Sequence, residues 1–150
     1  MAVNLWTMPR RRPKPANAHV SLTMSRIRAK DTKPELIVRA CLRAAGLTGY
    51  RLHYAKAPGR PDIAFVNRKL AVFVHGCFWH GCPHCQRSTP KHNRAWWRDK
   101  LAANQARDER KRRELKSAGW KVITVWECRL KKSPAREASR VARALATSSR

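Results

Sequence analysis

A chain of 150 residues, 43% of them hydrophobic, is long enough for one domain with a real core and needs no disulfides to hold it. Its 34 Lys and Arg against nine Asp and Glu give a formal net charge of +25, a self-repulsion borne most readily when the partner is a polyanion such as nucleic acid. No apolar run approaches the roughly 18–20 residues of a membrane span, no long basic amphipathic helix with a broad apolar face appears, and the N-terminus lacks a secretion signal, which together point to the cytoplasm.

Residues 1–20 are basic and proline-rich and read as a flexible arm ahead of a single domain over 21–150. In "SLTMSRIRAKDT", Met24 and Ile27 stand one helical turn apart, as in a short helix. The next segment is a clearer helix: Thr32 is placed to cap it, Pro34 lies in the first turn, and Glu35 completes a capping box. Leu36, Ile37, Ala40, Cys41 and Ala44 make its expected buried stripe, and Gly46 ends it.

"YRLHY" reads as a short strand. The turn "APGRP" leads into "DIAFV", a tight "NRK" turn and "LAVFVH", two apolar β-branched runs that predict a hairpin in a buried sheet. A cysteine-rich loop follows. Residues 93–118 predict a long charged helix ending at Gly119, "WKVITVWEC" a third central strand, and "SPAREASRVARALA" a closing helix capped by Ser133 with Pro134 at its first position. This order predicts an α/β sandwich on a mixed sheet.

The string "HGCFWHGCPHC" (75–85) concentrates the chemistry. Five cysteines in a cytoplasmic chain suggest metal or packing before disulfides. Cys77, Cys82 and Cys85 are spaced to wrap a tetrahedral zinc, with Cys128 as fourth ligand and His84 as the alternative to Cys85. Four protein ligands close such a site, which makes the zinc structural. Ordinary reduced cysteines are the plainer reading, and three within nine residues is not core spacing.

Among the acids, Asp62 in "GRPD" stands at the mouth of the first hairpin strand, where a carboxylate holds Mg²⁺ against a phosphate or simply occupies a turn. Capping explains Glu35, and an i,i+4 pair with Arg112 explains Asp108 equally well. Glu127 suits a salt bridge, and Asp99, Glu109, Glu114 and Glu137 read as solvated helix charges. His75 and His80 flank Cys77-Phe78-Trp79 and are suited to move a proton near neutral pH.

These strings in combination, "GRPD", "VFVHGCFWH", an aromatic pair followed by "N…RD", and "GWKVITVWEC", resemble the very-short-patch-repair (Vsr) DNA mismatch endonucleases, from about Thr23 to about Leu130. The resemblance implies a restriction-endonuclease-like fold, a modified PD-(D/E)xK mixed sheet flanked by helices, with a structural zinc. It implies a Mg²⁺-dependent enzyme, cytoplasmic and nucleoid-associated in bacteria. Such an enzyme nicks duplex DNA 5′ of the thymine in T:G mismatches left by deaminated 5-methylcytosine, in functional partnership with a cytosine-5 DNA methyltransferase.

Matched position by position, Asp62 and the main-chain carbonyl of Val74 correspond to the Mg²⁺ contacts and His80 to the base that activates water. His75, Glu35 and Asp108 correspond to residues that hold metal-bound waters. Phe78, Trp79 and Trp97 correspond to aromatics that wedge beside the mismatch from the major groove, and Met24 and Ile27 to residues that enter from the minor groove. The chain departs from the pattern at Val74, where Thr is frequent, in the spacing of "HGCPHC", and at Trp96, where Phe is usual; "FVH" also leaves no (D/E)xK lysine. A monomer is expected, since a single nick at an asymmetric mismatch offers no two-fold axis. Two alternatives remain: a restriction-like endonuclease acting on unmismatched DNA, and a zinc-stabilised DNA-binding protein without catalysis.

Overall fold

The computed structural model describes residues 11–26 and 29–148. Helix α1 spans Ala18–Ser25, with the Asn17 side chain accepting from the Val20 N–H at 2.9 Å. The arm expected over 1–20 therefore gives way to helix before residue 20, because Asn17 supplies a cap that the basic composition hides. Ile27 lies outside the described residues.

Helix α2 runs over Lys33–Ala44 from an N-cap at Thr32, with proline in its first turn. The capping box forms only in part. The Thr32 hydroxyl donates to Glu35 Oε1 at 2.9 Å and the Asp31 N–H to Oε2 at 3.1 Å, and the Thr32 oxygen accepts nothing from the helix. The buried face is also rotated from the expected stripe: Glu35, Val38, Arg39 and Leu42 are buried, whereas Leu36 is 50% exposed and Ala40 and Ala44 face outward. An internal ion pair between Arg39 and Glu35 places two charged residues on the inner face, so apolar spacing alone misjudges it.

Strands β1 (Arg51–Leu52), β2 (Ile63–Phe65), β3 (Leu70–His75) and β4 (Lys121–Trp126) form one sheet in that spatial order. β1, β2 and β3 pair antiparallel, and β4 pairs parallel to β3 with His75 opposite Trp126. The predicted hairpin is present, joined by a 3₁₀ turn over Val66–Arg68 and a left-handed Lys69. β4 lies at the edge of the sheet, not at its centre, and ends at Trp126. Glu127 and Cys128 belong to helix α5 (Glu127–Lys132), which leads into α6 (Pro134–Ala146), capped by Ser133 as expected.

All of β3 is buried, and the two-residue period of a strand divides its side chains between two layers. Leu70, Val72 and Val74 join Ile63, Phe65, Val38, Leu42, Leu130 and Val141 in the larger core under α2, α5 and α6. Ala71 and Phe73 face the other way, onto Leu115 of helix α4 (Arg94–Ser117). His75 follows in the same alternation and so projects toward α4, beyond the end of the apolar layer. The short helix α3, Cys77–His80, starts directly after β3; the expected loop is helical at its first turn.

Leu42 is fully buried in the larger core, and Leu42→Ala is expected to lower unfolding stability by about 2–5 kcal/mol through lost transfer energy and a cavity. Chemical denaturation of the two proteins measures this; a difference under about 1 kcal/mol would contradict this packing. Among the described residues, no helix is long and apolar enough to cross a membrane.

Candidate functional site

A cleft of about 850 Å³ opens where the carboxyl end of β3 meets α2 and α4. Its walls include Asp31, Glu35, Asp62, Val74, His75, Trp79, His80, Asp108 and Lys111. Five residues singled out by sequence as a cleavage centre (Asp62, His80, His75, Glu35, Asp108) thus border one space, together with Val74.

Asp62 immediately precedes β2. Its Oδ2 accepts from the Val74 N–H at 2.8 Å, which pins the carboxylate between the first two long strands. Burial raises its pKa, and the Val74 N–H only partly offsets that; the nearby Glu35 charge raises it further. A carboxylate disfavoured in this way gains from a cation placed in the cleft, and this donor set of partly buried carboxylate and adjoining main chain is what a hard divalent ion takes.

On the opposite wall, His80 Nδ1 lies 2.6 Å from Asp108 Oδ2. An ionised carboxylate only accepts, so the ring proton sits on Nδ1 and Nε2 is left as the basic nitrogen. Burial is the largest single influence and works against the Asp108 charge, but the His80 hydrogen bond together with the charges of His80, His75 and Lys111 holds the pKa below the ordinary carboxylate range. Asp108 thus orients a histidine, and it is Glu109, not Asp108, that pairs with Arg112, at 2.7 Å. His75 stacks on His80 with ring centroids 3.9 Å apart and planes 8° from parallel. Burial, followed by the His80 charge, lowers the pKa of His75 to about 3, so His75 is neutral at physiological pH.

Aromatic side chains gather where α3 meets the start of α4. Trp97 lies 5.3 Å from Phe78 and 5.7 Å from Trp79, and Trp96 packs edge-on to Trp97 at 4.9 Å. Phe78, Trp79 and Trp97 are all only half-buried, so this cluster presents ring surface outward. The Asn104 amide donates to the Trp79 carbonyl at 3.1 Å and ties α4 to α3. Met24 is half-buried on α1.

The thiols of Cys77, Cys82, Cys85 and Cys128 have their sulfurs within 4.8 Å of one another, with 3.6 Å between Cys82 and Cys128. Tetrahedral zinc with sulfur at about 2.3 Å needs sulfurs about 3.8 Å apart, so the four fit such an ion closely. Amide hydrogens point at them: Cys128 N–H to Cys77 Sγ and His84 N–H to Cys82 Sγ, both at 3.3 Å. At Cys82, burial opposes ionisation, but the N–H groups of His84 and Cys85 prevail and lower the thiol pKa. Cys85 contributes its sulfur to this cluster, whereas the His84 ring lies 6.4 Å from that of Trp126. Cys41, expected in the core, packs against it half-buried.

A family profile described as "DNA mismatch endonuclease Vsr" matches residues 15–87. A protein named "Type II nicking enzyme V.XorIIP", from Xanthomonas oryzae pv. oryzae, is 45% identical over 115 residues, which cover 77% of this chain and 84% of that protein. The chain belongs to the Vsr family. "Type II nicking enzyme V.NmeAIP" of Neisseria meningitidis is 42% identical over 111 residues, 74% of this chain and 79% of its own length. "DNA mismatch endonuclease Vsr" of Escherichia coli K12 is 37% identical over 112 residues, 74% and 70% of the two chains. Membership makes the protein a hydrolytic DNA endonuclease of the Vsr type.

Around the site of this Vsr protein, Asp31, Arg39, His53 and Lys111 escape the sequence reading. Asp31 bonds Glu35 locally at the start of α2, whereas His53 comes near Glu35 only through the fold, with Nε2 at 3.7 Å from Glu35 and 3.8 Å from Asp31. Lys111 lines the cleft from α4 while its stem packs on Gly59 of "GRPD", where an added Cβ would stand 2.7 Å from the Lys111 Cβ. Gly59 also has φ of +72°, so a side chain there meets both backbone strain and the lysine. Glu137, expected to be solvated, is 2% exposed, joins α6 to α5 through Arg129 and pairs with Arg140 on its own helix.

Proposed function

We infer that this Vsr-family protein nicks one strand of duplex DNA on the 5′ side of the thymine in a T:G mismatch, as the initiating step of very short patch repair. Its centre is read as a modified PD-(D/E)xK site with catalytic Mg²⁺, beside a structural Zn²⁺ on Cys77, Cys82, Cys85 and Cys128. The observation that carries this reading is one cleft with Asp62 on one wall, the His80–Asp108 pair on the other, and Trp79 of the aromatic cluster at its border.

Bound Mg²⁺ would neutralise charge on the scissile phosphate and on the departing 3′ oxygen. The chain's own groups do the rest. Asp62, with the Val74 main chain beside it, would hold the cation, and Glu35 and His75 would hold waters near it. His80 takes a proton from the attacking water at Nε2, and Asp108 steadies the imidazolium that results. His75, being neutral, adds no repulsion to a positively charged His80 stacked upon it.

Phe78, Trp79 and Trp97 serve as the wedge from the major groove, and Met24 and Ile27 contact the minor groove. A T:G wobble pair is held less firmly than a matched pair, so opening its stack costs less there, and the difference supports selectivity. Bound as a monomer, the enzyme would act where a cytosine-5 methyltransferase has left 5-methylcytosine. The charge of +25 supplies sequence-independent affinity for the phosphates.

Labelled T:G and T:A duplexes incubated with the protein and Mg²⁺ test this. Nicking of the T:G duplex alone, 5′ of the thymine, is expected. Equal nicking of both would favour a restriction-like activity, and nicking of neither would leave only DNA binding.

A further inference from the structure

His53 stands at the left-handed backbone position φ +45° just after β1, a conformation that only a well-determined surrounding sustains. Its N–H donates to the Asp62 carbonyl at 3.0 Å and its carbonyl accepts from Arg60 Nε at 3.2 Å. The side chain, 16% exposed, is thereby directed into the wall of the cleft.

Each ring nitrogen faces a different neighbour. Arg39 Nη2 lies 3.3 Å from Nε2. A guanidinium has donors only, so Nε2 must accept, and the proton of the neutral ring is on Nδ1. Nδ1 faces Asp62 Oδ1 at 4.0 Å, while the other oxygen, Oδ2, accepts from Val74. One carboxylate oxygen is thus hydrogen-bonded to the main chain, and the other is faced by the imidazole across a gap too long for a hydrogen bond but short enough for electrostatic attraction.

Arg39 is itself anchored, to Asp31 Oδ1 at 2.7 Å and Glu35 Oε2 at 3.3 Å. Asp31, Glu35 and His53 have ligand atoms within 4.8 Å of one another, yet a cation, the Arg39 guanidinium, is already paired with both carboxylates. That group is therefore a scaffold and not a second cation site.

We propose that His53 is a positioning residue: held by Arg39, it fixes the Asp62 carboxylate in the orientation in which that carboxylate binds its divalent cation. This rests on the reading of Asp62 as the metal-binding residue. Partners that orient a metal ligand from behind typically change metal affinity by about 10–100-fold.

Full-length wild-type, His53→Leu and His53→Gln proteins would be compared by Mn²⁺ binding, followed through the electron-paramagnetic signal of the free ion, and by the Mg²⁺ dependence of single-turnover nicking of the T:G duplex. His53→Leu is expected to weaken Mn²⁺ binding by about tenfold or more and to raise the Mg²⁺ midpoint by a similar factor, with a smaller loss of rate at saturating metal. His53→Gln, which retains an N–H donor, is expected to recover most of that affinity. A His53→Leu protein that melts earlier but binds Mn²⁺ as the wild type does would overturn the proposal, as would a Gln variant no better than Leu. If His53→Leu is not recovered folded, His53→Ala is judged by the same Mn²⁺ midpoint. Asp62→Ala, run in parallel, separates the two ideas: undiminished Mn²⁺ binding there removes the reading of Asp62 itself.

Discussion

Asp62→Ala should lower single-turnover nicking of a T:G duplex by about three orders of magnitude or more, equivalent to ~4 kcal/mol of transition-state stabilisation. The carboxylate is the acidic group shared by the β2 entrance and the β3 main chain, and its Oδ2 already engages the Val74 N–H. Removing it would take away the charge proposed to hold the cation while leaving the His80–Asp108 pair intact. Affinity for duplex DNA should change little, because phosphate contacts spread over a highly basic surface supply most of it. The expected pattern is therefore a bound but uncut mismatch. Binding measured by gel shift and cleavage measured after rapid mixing distinguish the two effects, and a variant that still nicks at more than about a tenth of the wild-type rate would place the cation elsewhere.

The second large effect concerns the four thiols. With zinc on the four thiols as proposed, the unaltered protein should carry one ion per chain, and Cys128→Ser or a strong chelator should lower that content and reduce the melting temperature. Structural zinc in small sites binds with apparent energies of about 10–16 kcal/mol near neutral pH, much of it available as folding energy. The sulfurs come from α3, the segment after it, and α5, so the ion would join the ends of the two parallel strands β3 and β4. α3 has only four residues, a length that does not persist as an isolated helix. Loss of the ion should therefore also abolish nicking, because α3 carries His80 and Trp79. Elemental analysis and calorimetry test this directly; a Cys128→Ser protein with undiminished zinc and an unchanged melt would exclude Cys128 as a ligand.

Element positions were largely legible because their ends carry local chemistry. Thr32 and Pro34 mark the start of α2, Ser133 and Pro134 that of α6, and Gly46 and Gly119, both at positive φ, follow helix ends. The faces were less legible. Arg39 and Glu35 point inward as a pair while Leu36 looks outward, an arrangement that no apolar periodicity encodes. β4 reads as strand through Cys128 because Val125 and Trp126 are good strand formers; Glu127 instead begins a helix, where its charge suits the N-terminus.

The candidate site divides in the same way. The cysteines were visible because three of them fall within nine residues. The choice between His84 and Cys85 depends on which neighbour brings its ligand atom to the other thiols, and only the fold shows the Cys85 sulfur among them. Asp108 has a ready partner on its own helix, so only the proximity of α3 reveals its bond to His80. His53 is hidden for a related reason. It stands opposite Asp62 through the β1–β2 pairing, nine positions away along the chain, and nothing local to "YRLHY" announces that.

The hairpin register has an evolutionary consequence. Ile63 faces Val72, which sends Val72 and Val74 to the apolar core and Phe73 and His75 toward α4. A one-residue shift of β3 would exchange those sets, burying an imidazole among Leu42, Leu130 and Val141 and turning the Val74 side chain toward α4. Insertions and deletions in the short 66–69 connection should accordingly be rare among active homologues unless the 63–72 pairing is kept. Here length and reactivity are inherited together.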